Sequence, residues 1–121
     1  MKVLIYGSKG WIGSQFVALL KNKKVEFVEG KSRVNCKDSL EQEIHEVNPT
    51  HVVSFIGRTH GKIGNKVYST IDYLEEEGKL VENVRDNLYS PVLLAATCSS
   101  KNIHYTYLGT GCIFKFDSEH P

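Results

Sequence analysis

Glycines at positions 7, 10 and 13 punctuate the run "YGSKGWIG", directly after the apolar segment "KVLIY". Glycine tolerates turns that other residues resist and lets another group come close to the main chain. In the order strand, glycine-rich turn, helix, this spacing builds a phosphate cradle, because a helix N-terminus offers free N–H groups and a partial positive charge. Gly7 is expected to allow the sharp turn, Gly10 the approach of a pyrophosphate, and Gly13 the close packing of helix on strand. The expected donors are the N–H groups near Gly10, Trp11 and Ile12, with Lys9 in the same turn. The chemistry is that of a dinucleotide-binding turn.

A dinucleotide also presents a ribose. An acidic residue about twenty positions further on would bind the 2′-hydroxyl of NAD, and Glu29 stands near that place. It is followed by "GKSR". Lys31 and Arg33 could neutralise a 2′-phosphate, and the planar arginine fork matches phosphate oxygens. Two cations against one carboxylate favour NADP, with NAD the alternative.

Such a turn needs elements around it. Lys2–Tyr6 is a β-forming apolar run, as in a strand buried on both faces. Ile12, Phe16, Val17 and Leu20 form one helical stripe. Val25–Glu29 predicts a second strand and 30–37 a polar loop. Asp38 with Glu41 predicts a capping box for a helix whose buried stripe is Leu40, Ile44 and Val47, stopped by Asn48-Pro49. His51–Ile56 predicts a strand, Gly57–Asn65 a glycine-rich loop, and 66–78 a short helix within a surface insertion. Leu80, Val81, Val84, Leu88, Val92 and Ala96 predict one long helix, kinked at Pro91. Ile103–Leu108 predicts the last strand, before "GTGCIF". The alternation predicts an α/β fold, a Rossmann-type parallel sheet with helices on both faces. Gly7–Gly13, Gly30–Arg33, Gly57–His60 and Gly109–Cys112 all follow strands, so they should gather at one sheet edge.

The chain of 121 residues suits a single domain. Its formal net charge of +1 offers no surface for nucleic acid or an acidic membrane. Three cysteines, with no C-x-x-C and no zinc spacing, point to reduced thiols rather than a disulfide framework. No window has transmembrane length. The expectation is a soluble, cytoplasmic protein. The histidines show no metal-ligand spacing, and no metal is expected.

The stretches "GSKGWIG", "GKSR", "NPTHVVSFIGRTHG", "ENVRDNL" and "GTGCIFKFDSEHP" resemble the extended short-chain dehydrogenase/reductases. Within them the chain is most similar to the dTDP-4-dehydrorhamnose reductase group, and above all to bifunctional UDP-4-keto-6-deoxyglucose 3,5-epimerase/4-reductases that make UDP-L-rhamnose. The resemblance implies a nucleotide-sugar substrate, an NADP cofactor and a possible homodimer. It implies that Gly7, Gly10, Trp11 and Ile12 hold the pyrophosphate, that Arg33 meets the 2′-phosphate, and that Asn35 or its neighbour lies by the adenine. Phe55, Ile56, Gly57 and Thr59 would line the middle of the cofactor, and Asn87 would brace the sheet.

The same resemblance gives catalytic roles to Thr110 and Cys112. A C4 ketone acidifies the protons at C3 and C5, and a thiol of lowered pKa could remove and return them. By residue type alone Cys112 reads as a buried apolar cysteine. Thr110 would hold the C4 oxygen during reduction. The family's Tyr-x-x-x-Lys is absent from residues 1–121. The resemblance therefore implies the NAD(P)-binding N-terminal portion of a longer enzyme, with the substrate domain outside it. By itself it would bind cofactor without turnover. A simple 4-keto-sugar reductase and a non-catalytic NADP-binding regulatory subunit are the alternatives.

Overall fold

The computed structural model describes residues 1–109. The chain order is β1 (Lys2–Tyr6), α1 (Trp11–Asn22), β2 (Glu26–Glu29), α2 (Lys37–Val47) and β3 (His51–Ser54). It continues with β4 (Gly61–Ile63), β5 (Lys66–Tyr68), α3 (Asp72–Glu75) and α4 (Leu80–Asn83), a π-helical turn (Val84–Tyr89), α5 (Ser90–Ser100) and β6 (His104–Tyr107).

Four strands form one parallel sheet in the order β2-β1-β3-β6. β1 lies inside it, and its apolar run is buried on both sides, with Val3, Leu4, Ile5 and Tyr6 at most 3% exposed. Strand alternation splits them between two cores. Val3 and Ile5 meet Val17 and Leu20 of α1 on one face. Leu4 and Tyr6 meet Leu40 and Ile44 of α2 and Leu94 and Cys98 of α5 on the other. Each buried aliphatic side chain stabilises by ~1.5–3 kcal/mol, so β1 anchors both layers. The chain leaves β1 in one direction through α1 and returns past it through α2. The boundary between β1 and β3 is therefore a topological switch point, the place where ligands bind in open α/β sheets.

Several sequence expectations need correction. The cap of α2 is Cys36, one turn position before Lys37, and Asp38 already lies inside the helix; no side chain caps it. Cys36 Sγ instead meets Ser39 Oγ at 3.2 Å. Residues 61–68 fold as an antiparallel hairpin, β4 with β5, where the end of a loop and the start of a helical insertion were expected. The helix in the 66–78 region is the four-residue α3.

The long helix exists, but most of the apolar residues that mark it in the sequence lie on its exposed side. Leu80, Val81, Val84, Leu88 and Val92 are between 44% and 74% exposed. The side facing the sheet carries Ser90, Pro91, Leu94, Thr97 and Cys98. Leu94 packs into the core beside small or polar residues, while Val92 lies outside. The irregularity expected at Pro91 takes the form of the π-helical turn before it, where Ser90 Oγ donates to the Arg85 carbonyl at 2.8 Å. A proline removes one helical N–H, and a π turn is one way a helix absorbs the loss.

Candidate functional site

The turn after β1 is built by backbone contact. Gly7 adopts φ +80°, a region side chains rarely visit. A Cβ at Gly13 would lie 2.1 Å from the Gly7 carbonyl oxygen, so α1 is seated directly on the turn. Gly10 differs. Its φ of −70° and ψ of 168° suit any residue, and a Cβ there would meet only Gly7 O, at 3.4 Å. The fold itself does not demand glycine at 10; what a side chain would fill is space outside the backbone. This is the geometry of a cradle for a bound group.

Gly10 is not a free donor, contrary to expectation, because its N–H is bonded to Gly7 O at 3.2 Å. The first α-helical bond is Ser14 N–H to Gly10 O, at 2.9 Å. The N–H groups of Trp11, Ile12 and Gly13 precede it and lie at the positive end of the helix. They are the donors the turn offers an anion, and the site's residues thus fit a pyrophosphate.

Above the turn lies a cleft of ≈ 550 Å³ whose walls include Gly10, Trp11, Ile12, Phe55, Ile56, Gly57 and Thr59. Ile71, Leu74 and the Tyr107–Gly109 segment close its other side. Phe55 is fixed from below by Phe16 of α1, ring centroids 5.3 Å apart. Trp11 is 81% exposed at the mouth. A second cleft of ≈ 410 Å³ shares Ile56–Thr59 with the first and adds Ser32, Arg33 and Asn35 from the β2–α2 loop. The glycine turn, the segment after β3 and the Arg33 loop, far apart in sequence, thus meet along one sheet edge.

Two side chains hold these loops. Asn87 Oδ1 accepts the Arg58 N–H at 2.9 Å, and its Nδ2 donates to the Arg58 carbonyl at 3.1 Å and to Asn83 Oδ1 at 3.0 Å. It clamps the Gly57–Thr59 segment from the π-helical turn. Glu43 of α2 accepts three hydrogen bonds, from the Lys31 N–H (2.7 Å), the Ser32 N–H (3.1 Å) and the Tyr6 hydroxyl (2.8 Å). Burial alone would raise its pKa; these hydrogen bonds outweigh it and hold the carboxyl below the ordinary glutamate value.

Arg58, on the wall of both clefts, is tied by its Nε to Asp86 Oδ2 at 2.8 Å. Asp86 also accepts from Arg85. The Arg85 hydrogen bond, with help from Arg58, holds the Asp86 carboxyl below its ordinary range against the opposing effect of burial.

Not every expected residue reaches a cleft wall. Lys9 is exposed in the turn and belongs to neither wall. Lys31 is likewise exposed and off the walls; its N–H, not its ammonium, has the structural contact. Arg33 is exposed and Asn35 half-buried, both on the second wall. Thr110 and Cys112 lie outside the described residues. Glu43 and the Arg58–Asp86 pair were not anticipated. Nothing in the sequence marks Glu43, since it sits among other charged positions on a solvated helix face. Among the described residues no group of acidic, histidine or cysteine side chains is arranged to hold a metal, and no helix is long and apolar enough to cross a membrane.

No family model matches the chain. It is 56% identical over 115 residues to protein L780 of Acanthamoeba polyphaga mimivirus, covering 95% of this chain and 38% of that protein. The crystal structure of the L780 UDP-rhamnose synthase superposes with a TM-score of 0.89 and 55% identity, over 96% of this chain and 39% of that one. A trifunctional UDP-glucose 4,6-dehydratase/UDP-4-keto-6-deoxy-D-glucose 3,5-epimerase/UDP-4-keto-L-rhamnose-reductase of Arabidopsis thaliana is 33% identical over 121 residues, all of this chain and 17% of that protein. A dTDP-4-dehydrorhamnose reductase from Clostridium acetobutylicum, at 23% identity and a TM-score of 0.69 over 87% of this chain and 34% of its own, shares the fold. The chain thus spans well under half the length of the relatives it matches.

Proposed function

We propose that this chain, a homologue of the UDP-rhamnose synthases within the Rossmann-type short-chain dehydrogenase/reductases, is the NADP(H)-binding portion of a nucleotide-sugar 3,5-epimerase/4-reductase. The enzyme converts UDP-4-keto-6-deoxyglucose to UDP-L-rhamnose. The observation that carries this reading is the 55% identity and TM-score of 0.89 to the L780 UDP-rhamnose synthase over 96% of the chain. The glycine cradle and the paired clefts give the reading a physical basis.

The N–H groups of Trp11, Ile12 and Gly13 hold the pyrophosphate, with room provided by the bare Gly10. Arg33 would meet the 2′-phosphate at the second cleft, and Asn35 or its neighbour would stand by the adenine. Phe55, Ile56, Gly57 and Thr59 would line the middle of the cofactor, and Asn87 holds the Gly57–Thr59 segment in place. When bound, the reduced cofactor supplies the hydride that converts the C4 ketone to an alcohol. Cys112 would remove and return the protons at C3 and C5, and the Thr110 hydroxyl would hydrogen-bond the C4 oxygen to position it. The residues that bind the sugar and protonate the C4 oxygen belong to the portion of such an enzyme that this chain does not align with.

Thermal stabilisation tests the cofactor reading. A ligand present at 100 times its Kd and bound only by the native state stabilises by ~2.7 kcal/mol. NADP(H) is expected to raise the melting temperature more than NAD(H), and Arg33→Ala to erase the difference. Equal shifts with both cofactors would remove the case for NADP. For the activity, the enzyme that contains this chain is supplied with UDP-4-keto-6-deoxyglucose and NADPH. Reduction without exchange at C3 and C5 would turn the reading to a plain 4-keto-sugar reductase.

A further inference from the structure

The cofactor-discriminating loop has little regular structure to hold it. Residues 30–36 join β2 to α2 and belong to neither strand nor helix. At its start the Gly30 N–H bonds to Ile5 O at 2.8 Å, and near its end the Cys36 N–H bonds to Arg33 O at 2.9 Å. Between them the Lys31 and Ser32 N–H groups converge on the two carboxylate oxygens of Glu43, at 2.7 and 3.1 Å.

The third donor to that carboxylate comes from the sheet. Tyr6, the last residue of β1, is 1% exposed and donates its hydroxyl to Glu43 Oε2 at 2.8 Å. Its ring passes against Gly30 so closely that a Cβ there would lie 2.5 Å from it. The β1 strand, Tyr6, Glu43 and the loop backbone form one connected chain of short contacts, and Arg33 follows one residue beyond the second bonded amide. Val34, 4% exposed, fixes the loop on the far side of Arg33.

We propose that Glu43 is a positioning residue for cofactor choice: by binding the Lys31 and Ser32 N–H groups it fixes the backbone from which Arg33 reaches the 2′-phosphate. The inference rests on the NADP reading above. An arginine fork discriminates a phosphate only when it is held where the phosphate lies, since ordering a loose loop on binding subtracts from affinity.

The test measures Kd for NADP+ and NAD+ in the wild-type chain and in Glu43→Ala, Glu43→Gln, Tyr6→Phe, Arg33→Ala and the Glu43→Ala/Arg33→Ala double variant. The NADP+ over NAD+ preference should fall on the order of tenfold in Glu43→Ala and less in Glu43→Gln, whose remaining oxygen can still accept one loop N–H. Tyr6→Phe should melt lower yet keep the preference within about twofold, because both loop bonds survive. The double variant should discriminate no worse than Arg33→Ala, because the two residues act through one contact. Hydrogen exchange supplies a readout without ligand: the Lys31 and Ser32 amides should lose protection in Glu43→Ala and Glu43→Gln, the former more.

Folded Glu43 variants with wild-type preference overturn the inference while leaving the NADP reading intact, provided Arg33→Ala loses preference. A rise in preference also overturns it, showing that the loop amides serve the phosphate better when released. Independent losses in the double variant, or a Tyr6→Phe loss equal to that of Glu43→Ala, do the same. Failure of the wild type to bind either cofactor sinks both readings together.

Discussion

The two helix-start glycines should fail in opposite ways when each is changed to alanine. At Gly13 the added Cβ would sit 2.1 Å from the Gly7 carbonyl oxygen and 2.9 Å from Gly7 C and Ser8 Cα, all main-chain atoms that cannot rotate aside. To restore ordinary contact at 3.4 Å, α1 must back away from the turn by about 1.3 Å. That movement separates Val17 and Leu20 from Val3 and Ile5. Overpacking of this kind costs up to ~3 kcal/mol, offset by ~1 kcal/mol from the better helix propensity of alanine. The net loss is ~2 kcal/mol, or a fall in melting temperature of roughly 8 °C for a domain of this size. At Gly10 the Cβ has open space and an unstrained backbone. The weaker N-cap costs under ~1 kcal/mol, and the stiffer unfolded chain returns a similar amount, so Gly10→Ala should melt close to wild type. Its deficit should appear only with ligand. Hundredfold weaker binding at a cofactor level of 100 wild-type Kd reduces the stabilisation from ~2.7 to ~0.4 kcal/mol. Scanning calorimetry with and without NADPH reads both effects. A Gly13→Ala chain melting within about 2 °C of wild type would refute the packing argument. A Gly10→Ala chain that keeps its full NADPH shift would refute the cradle.

Asn87→Ala removes both partners of the Arg58 backbone and should weaken cofactor binding about tenfold, at a stability cost of ~1–3 kcal/mol; unchanged calorimetric affinity would show that the clamp is dispensable. Glu43 titrates below the ordinary glutamate value when folded, so its contribution is complete above that value and is lost as pH falls through the lower folded pKa. Protection of the Lys31 and Ser32 amides, corrected for intrinsic exchange, should therefore be flat from neutrality into the mildly acidic range and drop only below it; a drop near neutral pH would contradict this assignment. Under the proposed epimerase/reductase function, Cys112→Ser in an active enzyme that includes residues 1–121 should suppress solvent deuterium incorporation at C3 and C5, since a hydroxyl is a far weaker acid than a thiol. Exchange at the wild-type rate would mean the thiol is structural.

The sheet and its cradle were legible because each rests on a local signal. A continuous apolar run marks β1, and the Gly7 turn has a positive φ that the sequence states by its residue type. The face of the long helix was not legible. Leu80, Val84, Leu88 and Val92 mark the helix by their apolarity, yet its buried side carries Ser90, Pro91, Leu94, Thr97 and Cys98. The π-helical turn adds a second difficulty, since it shifts the phase that a 3.6-residue period assumes. The hairpin at 61–68 escaped notice because its strands are three residues long, too short for alternation to declare itself. In the site, Gly10 and Trp11 could be named from the glycine spacing. The Glu43 latch could not, because it joins α2 to β1 and to a loop, and pairings at 11, 12 and 37 residues' separation leave no periodic trace.

The exposure of Trp11 has an optical consequence. The chain has one tryptophan, and it stands in water at the mouth of the cleft, 81% exposed. Its indole already experiences a polar, mobile environment in the native state, so global unfolding should barely move its emission maximum. A denaturant titration followed by tryptophan fluorescence would then look nearly featureless even as the β1 core dissolves, and the transition has to be read from circular dichroism or tyrosine absorbance. The same isolation makes the indole a selective gauge of the cleft. A quencher such as acrylamide reaches it freely at first, and any group that settles over the start of α1 should shade it without disturbance from other indoles.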